Sequence, residues 1–236
     1  MSTIHVIGGE KGGVGKSVFA RLLSQYFLDV GQKYLGLDAD QSHATLSRFY
    51  GEFTQPVQLD EFESSDAIIE AAVEEDINLL LDLPAQSERF LDRWFEESGV
   101  LELCQEMEIP LVYWYMIDDG TDSAGLLKQF LNKYRGKLQC IVVKNLGRGS
   151  NFNGIDQLIT NLGANSGVIS AQLPALHPAT MNKIDKLSFS FWGAQNIRGT
   201  NTPHLSLMER QRTKVWMNKA YTALQDALGK LPASSQ

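Results

Sequence analysis

The stretch at residues 8–17 has the residue types and spacing that phosphate binding requires. It reads Gly-Gly-Glu-Lys-Gly-Gly-Val-Gly-Lys-Ser. Its glycines leave room for the backbone to wrap a phosphate, and successive N–H groups at a helix start supply partial positive charge. Lys16 would reach the β- and γ-phosphates of a nucleotide, and the Ser17 hydroxyl would ligate Mg²⁺. A flexible glycine-rich turn is the alternative, but such a turn does not need Gly-Lys-Ser at its end.

The residues on either side of this loop predict the strand and the helix that must position it. Residues 3–7, Thr-Ile-His-Val-Ile, form an apolar, β-rich run, and apolar side chains recur at helical spacing from Val18 to Phe27. The order of strand, glycine loop and helix is the context in which such a motif binds nucleotide. The loop residues predicted to bind ATP are Gly12, Gly13, Val14, Gly15, Lys16, Ser17 and Val18.

One departure from the standard spacing G-x-x-x-x-G-K-[ST] narrows the class of loop. The first glycine would fall at position 10, where this chain has Glu10, and the loop carries an additional lysine, Lys11. This form resembles the deviant Walker A motif of the ParA/MinD superfamily, which also holds the nitrogenase iron protein and the arsenite-pump ATPase. In that family the early lysine crosses a dimer interface to touch the partner's nucleotide. The resemblance therefore implies that Lys11 has a catalytic role and that ATP drives formation of a homodimer.

Three aspartates stand where predicted strands end. Residues 32–37 predict a second strand that leads into Asp38 and Asp40, and the apolar run at 77–81 predicts a buried strand that leads into Asp82. Ligands of an open parallel sheet sit beyond the carboxyl ends of its strands, so these acids should emerge beside the loop. Such carboxylates could hold Mg²⁺ and orient a water that attacks the γ-phosphate.

The passage at residues 37–47 resembles the second motif of the partition ATPases, in which the later aspartate is the hydrolytic residue. The resemblance assigns hydrolysis to Asp40 and places Asp38 nearer the metal, although the usual proline before Gln41 is absent. Asp82 matches a Walker B aspartate, and the Leu-Pro-Ala after it resembles the family's switch loop, which senses the γ-phosphate. The predicted metal ligands are thus Ser17, Asp38 and Asp82. Solvated turns at the strand ends are the alternative for these acids.

Residues near the end of the sheet are candidates for the base site. In the superfamily, an asparagine after the equivalent strand reads the adenine edge, and Asn145 matches that position after the run at 138–143. Turn chemistry alone also favours asparagine at strand ends. A proline-bearing loop packs on the base in ParA/MinD proteins, so the resemblance implies an adenine lid at residues 174–178 that includes Pro174 and Leu176.

The alternation of strands and helices predicts an α/β fold, a doubly wound, mostly parallel sheet flanked by helices, as in P-loop NTPases. We expect residues 1–230 to form a single P-loop ATPase domain and residues 231–236 to be a disordered tail. One helix is expected over residues 87–105, one from Ser64 or Ser65 onward, and irregular structure over 189–203. The acidic loop at 118–122 is expected to be solvated and to cap the next helix, with a metal role for its acids as the alternative.

Composition limits the environment and the partners. The chain has 43% hydrophobic and 21% charged residues and a net charge of −7, which is typical of a soluble globular domain without an extensively basic surface. No apolar run is long enough for a membrane span, and no signal peptide is evident, so a cytoplasmic protein is expected. The predicted final helix nevertheless carries basic side chains that suit a DNA backbone, with a solvated face as the alternative: Arg210, Arg212, Lys214 and Lys219.

The leading hypothesis is a MgATP-dependent dimeric switch ATPase of the ParA/MinD type that segregates or transfers DNA, with slow hydrolysis until an activating partner protein acts. An ATP-dependent carboxylate-activating ligase, of the dethiobiotin or cobyrinate synthetase kind, is a second hypothesis. It would need a pocket for an organic acid, for which Arg148 and Arg198 are scattered candidates. A third is an ATP-controlled module that docks onto a protein without touching DNA. The cargo, the activating partner and any assembly beyond a dimer are left open by the sequence.

Overall fold

The computed structural model describes residues 2–40, 44–163, 166–199 and 201–231, and within these ranges one seven-stranded sheet forms the centre of the molecule. The strand order is β3-β2-β4-β1-β5-β6-β7, and neighbouring strands run parallel. The strands are β1 (Thr3–Gly8), β2 (Tyr34–Asp38), β3 (Thr54–Pro56), β4 (Asn78–Asp82), β5 (Leu111–Ile117), β6 (Gln139–Asn145) and β7 (Val168–Leu173).

Helices connect the strands and cover both faces of the sheet. A 3₁₀ turn (Gly51–Phe53) precedes β3, and a π-helical turn (Asp92–Glu97) follows α4. The helices are α1 (Lys16–Asp29), α2 (Thr45–Tyr50), α3 (Phe62–Glu74), α4 (Glu88–Leu91), α5 (Val100–Glu106), α6 (Ser123–Tyr134), α7 (Asn153–Asn161), α8 (Pro178–Lys186), α9 (Phe191–Asn196) and α10 (Leu207–Leu228).

Alternate side chains of each central strand enter two separate hydrophobic cores. In β1, Ile4 and Val6 pack into the core under α3 and α6, whereas Ile7 packs into the core under α1 and α10. This alternation follows from the pleat of a strand, and burial on both faces explains why the strand segments read as continuous apolar runs. The predicted fold class, a doubly wound parallel sheet flanked by helices, is confirmed.

The expected single helix over residues 87–105 is divided in the structure. Helix α4 runs into the π-helical turn, the chain breaks at Ser98 and Gly99, and α5 begins at Val100. Gly99 has a φ of 65°, a left-handed conformation that ends a helix and that glycine adopts without steric cost. The prediction of one helix was wrong because the apolar spacing continues across this break. The aromatics of the segment pack in the core: Phe90, Trp94 and Phe95.

One short strand was not predicted, and two further local expectations were wrong. The edge strand β3 was missed because it is only three residues long and ends in a proline. Helix α3 begins at Phe62, so Ser65 lies inside it and its hydroxyl donates to the Phe62 carbonyl oxygen at 2.9 Å. The stretch expected to be irregular contains α9, whose start is capped by the Ser190 hydroxyl accepting from the Gly193 N–H.

None of the helices in the described ranges is long and apolar enough to cross a membrane. Of the predicted tail at residues 231–236, the structure describes Leu231, and residues 232–236 lie outside the described residues.

Candidate functional site

The loop between β1 and α1 has a backbone shape that depends on glycine. Gly13 and Gly15 have φ angles of 75° and 99°, which side-chain-bearing residues rarely adopt. Gly15 also precedes α1 directly, and its carbonyl oxygen accepts from the Phe19 N–H at 3.0 Å, which starts the helix. A Cβ at Gly15 would lie 2.3 Å from the Asn145 Nδ2 atom. The loop therefore ends against β6 at a point where no larger residue fits.

Lys16 is folded over this loop. Lys16 is only 7% exposed, and its ammonium donates to the carbonyl oxygens of Gly9 and Lys11, both at 2.9 Å. Burial lowers the pKa of Lys16, whereas the negative charges of Asp82, Glu10 and Asp40 raise it. The ammonium is thus held at the carboxyl edge of the sheet among acids, with three N–H donors that a phosphate could share.

Lys11 is bound by the loop after β5. Its ammonium lies 2.8 Å from an Asp122 carboxylate oxygen and 3.1 Å from Asp118 Oδ2. The hydrogen bonds to Asp122 and Asp118 raise the pKa of Lys11. Gly120 makes this contact feasible, because a Cβ there would lie 2.1 Å from the Lys11 Nζ atom. The loop expected to be a solvated cap therefore holds the additional lysine of the phosphate loop, and Asp122 makes no side-chain cap to α6.

Asp82 is a fully buried carboxylate; the Ser17 hydroxyl lies near it, but neither oxygen atom makes a hydrogen bond of normal geometry among the described residues. It ends β4 and pairs in register with Asp38 at the end of β2 and with Ile7 of β1. Burial raises the pKa of Asp82 to about 8, and the negative charge of Asp38 adds to this, while Ser17 and Lys16 oppose it. A buried polar group without a partner is rare in proteins, so this carboxylate indicates a ligand.

Asp38 is buried next to Asp82 but is engaged with backbone groups. Its carboxylate accepts from the N–H of Ser47 at 2.8 Å and from the N–H of Asp40 at 3.2 Å. These hydrogen bonds fix the start of α2 to the end of β2. Each oxygen retains a lone pair for a further contact.

The buried acids and Ser17 fit a Mg²⁺ site of the kind that relies on phosphate. Mg²⁺ prefers oxygen ligands and is usually bound through one or two carboxylates, waters and substrate phosphates rather than by an all-protein cage. The described residues contain no cluster of three or more His, Cys, Asp or Glu side chains that could hold a metal alone. The unpartnered Asp82 oxygens, beside Ser17, are the donors that such a shared site requires.

Asp40 lies close to Lys16 and Asp82 and at the edge of a wide cavity. Its charge contributes to the pKa of both Lys16 and Asp82. The cavity, of about 650 Å³, lies beyond the ends of β2 and β4 and also includes Pro84, Arg89 and Arg93 among its lining residues. The adjacent Gln41, part of the predicted second motif, lies outside the described residues together with residues 42 and 43.

A second, smaller cavity of about 130 Å³ lies on the other side of the loop and collects the residues predicted for the base. The Trp216 indole N–H donates to the Pro174 carbonyl oxygen at 2.7 Å, so α10 braces the predicted lid. Trp216 was missed as a site residue because its spacing indicates only the apolar face of a helix. The predicted residues that line this cavity are Val18, Asn145, Pro174 and Leu176.

The Asn145 amide makes hydrogen bonds at both of its ends. Its Nδ2 donates to the Val14 carbonyl oxygen at 2.8 Å, and its Oδ1 accepts from the Gly147 N–H at 2.9 Å. Arg148 also lines the smaller cavity, away from the acids, and Arg198 is exposed on the surface. These two arginines are therefore not brought together at the phosphate side of the loop.

Comparison with known proteins finds similar sequences but no matching family model. The chain is 26% identical over 254 residues to protein TraL of Escherichia coli. This alignment covers 96% of the chain and 99% of TraL. The chain is also 26% identical over 133 residues to protein MobD of Acidithiobacillus ferrooxidans. That alignment covers 55% of the chain and 58% of MobD.

Solved structures share the fold along nearly the whole chain. The cell division ATPase MinD of Pyrococcus furiosus superposes with a TM-score of 0.58 at 17% identity, covering 95% of the chain and 100% of MinD. A candidate plasmid partition protein of Borrelia burgdorferi, solved with AMPPNP, gives a TM-score of 0.54 at 14% identity, covering 93% of the chain and 99% of that protein. The chain thus shares its fold with MinD and with this candidate partition protein, in agreement with the fold that the resemblance of its loop implied.

Proposed function

We propose that this protein is a MgATP-binding and hydrolysing switch ATPase of the ParA/MinD type that acts in plasmid partition or DNA transfer. The observation that carries the proposal is the position of Lys16 at the sheet edge, next to the unpartnered carboxylate of Asp82 and the charge of Asp40. Similarity to TraL over nearly the full length, and a shared fold with MinD and with an AMPPNP-bound candidate partition protein, support it.

The chain's own residues suit each task in phosphoryl transfer. The N–H groups of residues 12–17 and the Lys16 ammonium would bind the phosphates and stabilise charge on the γ-phosphate. Ser17 and Asp82, supported by Asp38, would hold Mg²⁺, which neutralises phosphate charge when bound. Asp40 would orient the attacking water, and the walls formed by Pro174 and Leu176 would bind the base.

Lys11 connects the proposal to dimerisation. By resemblance this lysine reaches the nucleotide of a second subunit, yet here it is paired with Asp118 and Asp122 of its own chain. Dimerisation on ATP would therefore require these ion pairs to break. Such a requirement suits a switch that turns over slowly until a partner protein acts.

The hydrolytic role of Asp40 is tested by substitution. Asp40→Ala should retain ATP binding but lose at least about tenfold in the rate of phosphate release, because positioning of the attacking water contributes roughly that much or more. Phosphate release and nucleotide binding are measured on the same preparations, with Asp66→Ala on the exposed face of α3 as the matched acid control. Hydrolysis at the wild-type rate in Asp40→Ala would remove this assignment.

DNA binding separates the switch from a module that docks only onto protein. Three exposed basic residues of α10, Arg212, Lys214 and Lys219, are the candidate phosphate contacts. We expect retention on DNA with ATP at low salt, a steep loss as salt rises, and a shallower salt slope when the three residues are changed to alanine. No retention with ATP at low salt would favour the protein-docking module.

One observation favours the ligase as a second candidate function. The cavity of about 650 Å³ beside Asp40 includes Arg89 and Arg93, which could bind an organic carboxylate near the γ-phosphate. A ligase should form ADP only when a carboxylic acid and its acceptor are supplied. A switch ATPase should form ADP without them and should respond to DNA or a partner protein instead.

A further inference from the structure

Asn145 makes a contact that turn chemistry does not explain. Its Oδ1 accepts from the Gly147 N–H, the local hydrogen bond for which asparagine is common at strand ends. Its Nδ2, however, reaches across to the phosphate loop and donates to the carbonyl oxygen of Val14. The residue is only 5% exposed, so both hydrogen bonds are shielded from water.

This contact fixes the orientation of one peptide group in the phosphate loop. In a planar trans peptide the C=O of one residue and the N–H of the next point in opposite directions. Since the Val14 carbonyl is directed at Asn145, the Gly15 N–H is directed away from Asn145. Gly15 is among the residues whose N–H groups would cradle the phosphates, and its left-handed φ of 99° lets this peptide adopt that orientation.

The fit between the two residues is close. A Cβ on Gly15 would lie 2.3 Å from Asn145 Nδ2, so the amide occupies the space that any other residue at position 15 would need. The same asparagine lines the small cavity that also includes Pro174 and Leu176. One side chain thus joins the predicted base cavity to the phosphate loop.

We propose that Asn145 is a positioning residue that holds the phosphate loop in its anion-binding conformation through the Val14–Gly15 peptide. This inference rests on the proposed function, because it assigns a role in nucleotide binding. It differs from the adenine-reading role, since a residue that orients the loop acts on the phosphates whether or not a base is attached.

The test compares MgATP with inorganic tripolyphosphate plus Mg²⁺, which carries phosphates without a base. Asn145→Ala should weaken binding of both ligands by a similar factor of roughly tenfold, since it leaves the Val14 carbonyl without its buried donor. Met181→Ala, which changes the wall of the same cavity and leaves the hydrogen bond between Asn145 and Val14 in place, is the control. It should weaken binding of MgATP and leave tripolyphosphate binding unchanged.

Amide hydrogen exchange gives a second measurement that needs no ligand. Exchange at Gly15 and Lys16 should be faster in Asn145→Ala than in Met181→Ala. If the alanine variant does not fold, Asn145→Asp takes its place, because it keeps the acceptor for Gly147 and lacks the donor to Val14. Faster exchange at Gly15 and Lys16 is expected in either variant.

Unchanged tripolyphosphate affinity in the Asn145 variants, with MgATP binding lost, would overturn the inference and leave Asn145 as a base reader. In that case the proposed function stands. A wild-type protein that binds neither ligand would instead contradict the proposed function, so the two failures are distinguishable.

Discussion

At the scale of single residues, the buried carboxylate of Asp82 should lower the stability of the free protein, because a buried polar group without a partner is unfavourable. Asp82→Asn keeps the shape and removes an acid group that the folded state holds protonated at a cost, because burial raises its pKa to about 8. We expect it to raise the melting temperature in metal-free buffer by a few degrees, an effect of about 1–2 kcal/mol, and to abolish Mg²⁺-dependent ATP hydrolysis.

Thermal unfolding with a chelator present measures the first effect, and phosphate release measures the second. Asp156→Asn, which changes an aspartate paired with Lys144, is a control that should not raise stability. A lower melting temperature in Asp82→Asn would mean that this carboxylate has a partner that stabilises it.

The sequence identified single residues best where a motif fixes both type and spacing. The phosphate loop and the aspartate at the end of β4 were predicted on this basis, and the structure places them at the same sheet edge. The pairing of Lys11 with Asp118 and Asp122 could not be predicted, because these acids are more than a hundred residues away in sequence and read only as a polar loop. The contact of Asn145 with Val14 could not be predicted either, because these two residues are also far apart in sequence.

At the scale of elements, α10 has an N-terminal cap made of two reciprocal hydrogen bonds. Ser206 accepts from the Glu209 N–H, and Glu209 accepts from the Ser206 N–H at 2.7 Å, which is a capping box. Glu209 also binds the Lys183 ammonium at 2.8 Å, which joins α10 to α8. This hydrogen bond, together with the cap, lowers the pKa of Glu209 to about 2.

The lowered pKa gives a stability difference with a defined sign. Because the folded state favours the charged form, Glu209 contributes stability at pH values above its ordinary pKa of 4.5, and this contribution is lost as the pH falls toward 2. Glu209→Gln should therefore cost about 1 kcal/mol near neutral pH, allowing for partial exposure, and almost nothing near pH 2.

Denaturant unfolding across this pH range measures the difference, with Glu102→Gln at the start of α5 as an acid without this cap. A gap between wild type and Glu209→Gln that widens on acidification would contradict the assignment.

The sequence predicted the long elements better than the short ones. Strands β1, β4 and β6 are continuous apolar runs, and their positions agree with the prediction within about two residues. The prediction missed the break at Gly99 and the short helix α9, because a left-handed glycine or a serine cap changes the backbone without changing the hydrophobic pattern. Helix α3 begins before either of the serines expected to cap it, because its first turn is apolar and acidic.

At the scale of the whole molecule, the ion pairs of Lys11 should oppose ATP-dependent dimerisation. Asp122→Asn removes the closer of its two carboxylate partners, so we expect dimers with a non-hydrolysable ATP analogue at lower protein concentration than for wild type. Lys11→Ala should not dimerise. Light scattering over a range of protein concentrations checks both outcomes.

Asp119→Asn is the matched control, because Asp119 accepts from the N–H groups of Ser150 and Asn151 rather than from Lys11. Dimerisation of Lys11→Ala on the ATP analogue at the wild-type concentration would remove the crossing role of this lysine.

The position of β1 in the sheet also constrains how the chain folds during its synthesis. β1 precedes both of its neighbours in the chain, yet it lies between β4 and β5, with Ile4 opposite Leu79 on one side and Leu111 on the other. On the ribosome this apolar strand has no lasting partner until Leu79 has emerged, and it is not enclosed until β5 has followed. Long-range parallel pairing of this kind is slow to form. The segment that carries the phosphate loop therefore reaches its final place in the sheet only after β4 and β5 have been made, and nucleotide can stabilise the nascent domain only from then on.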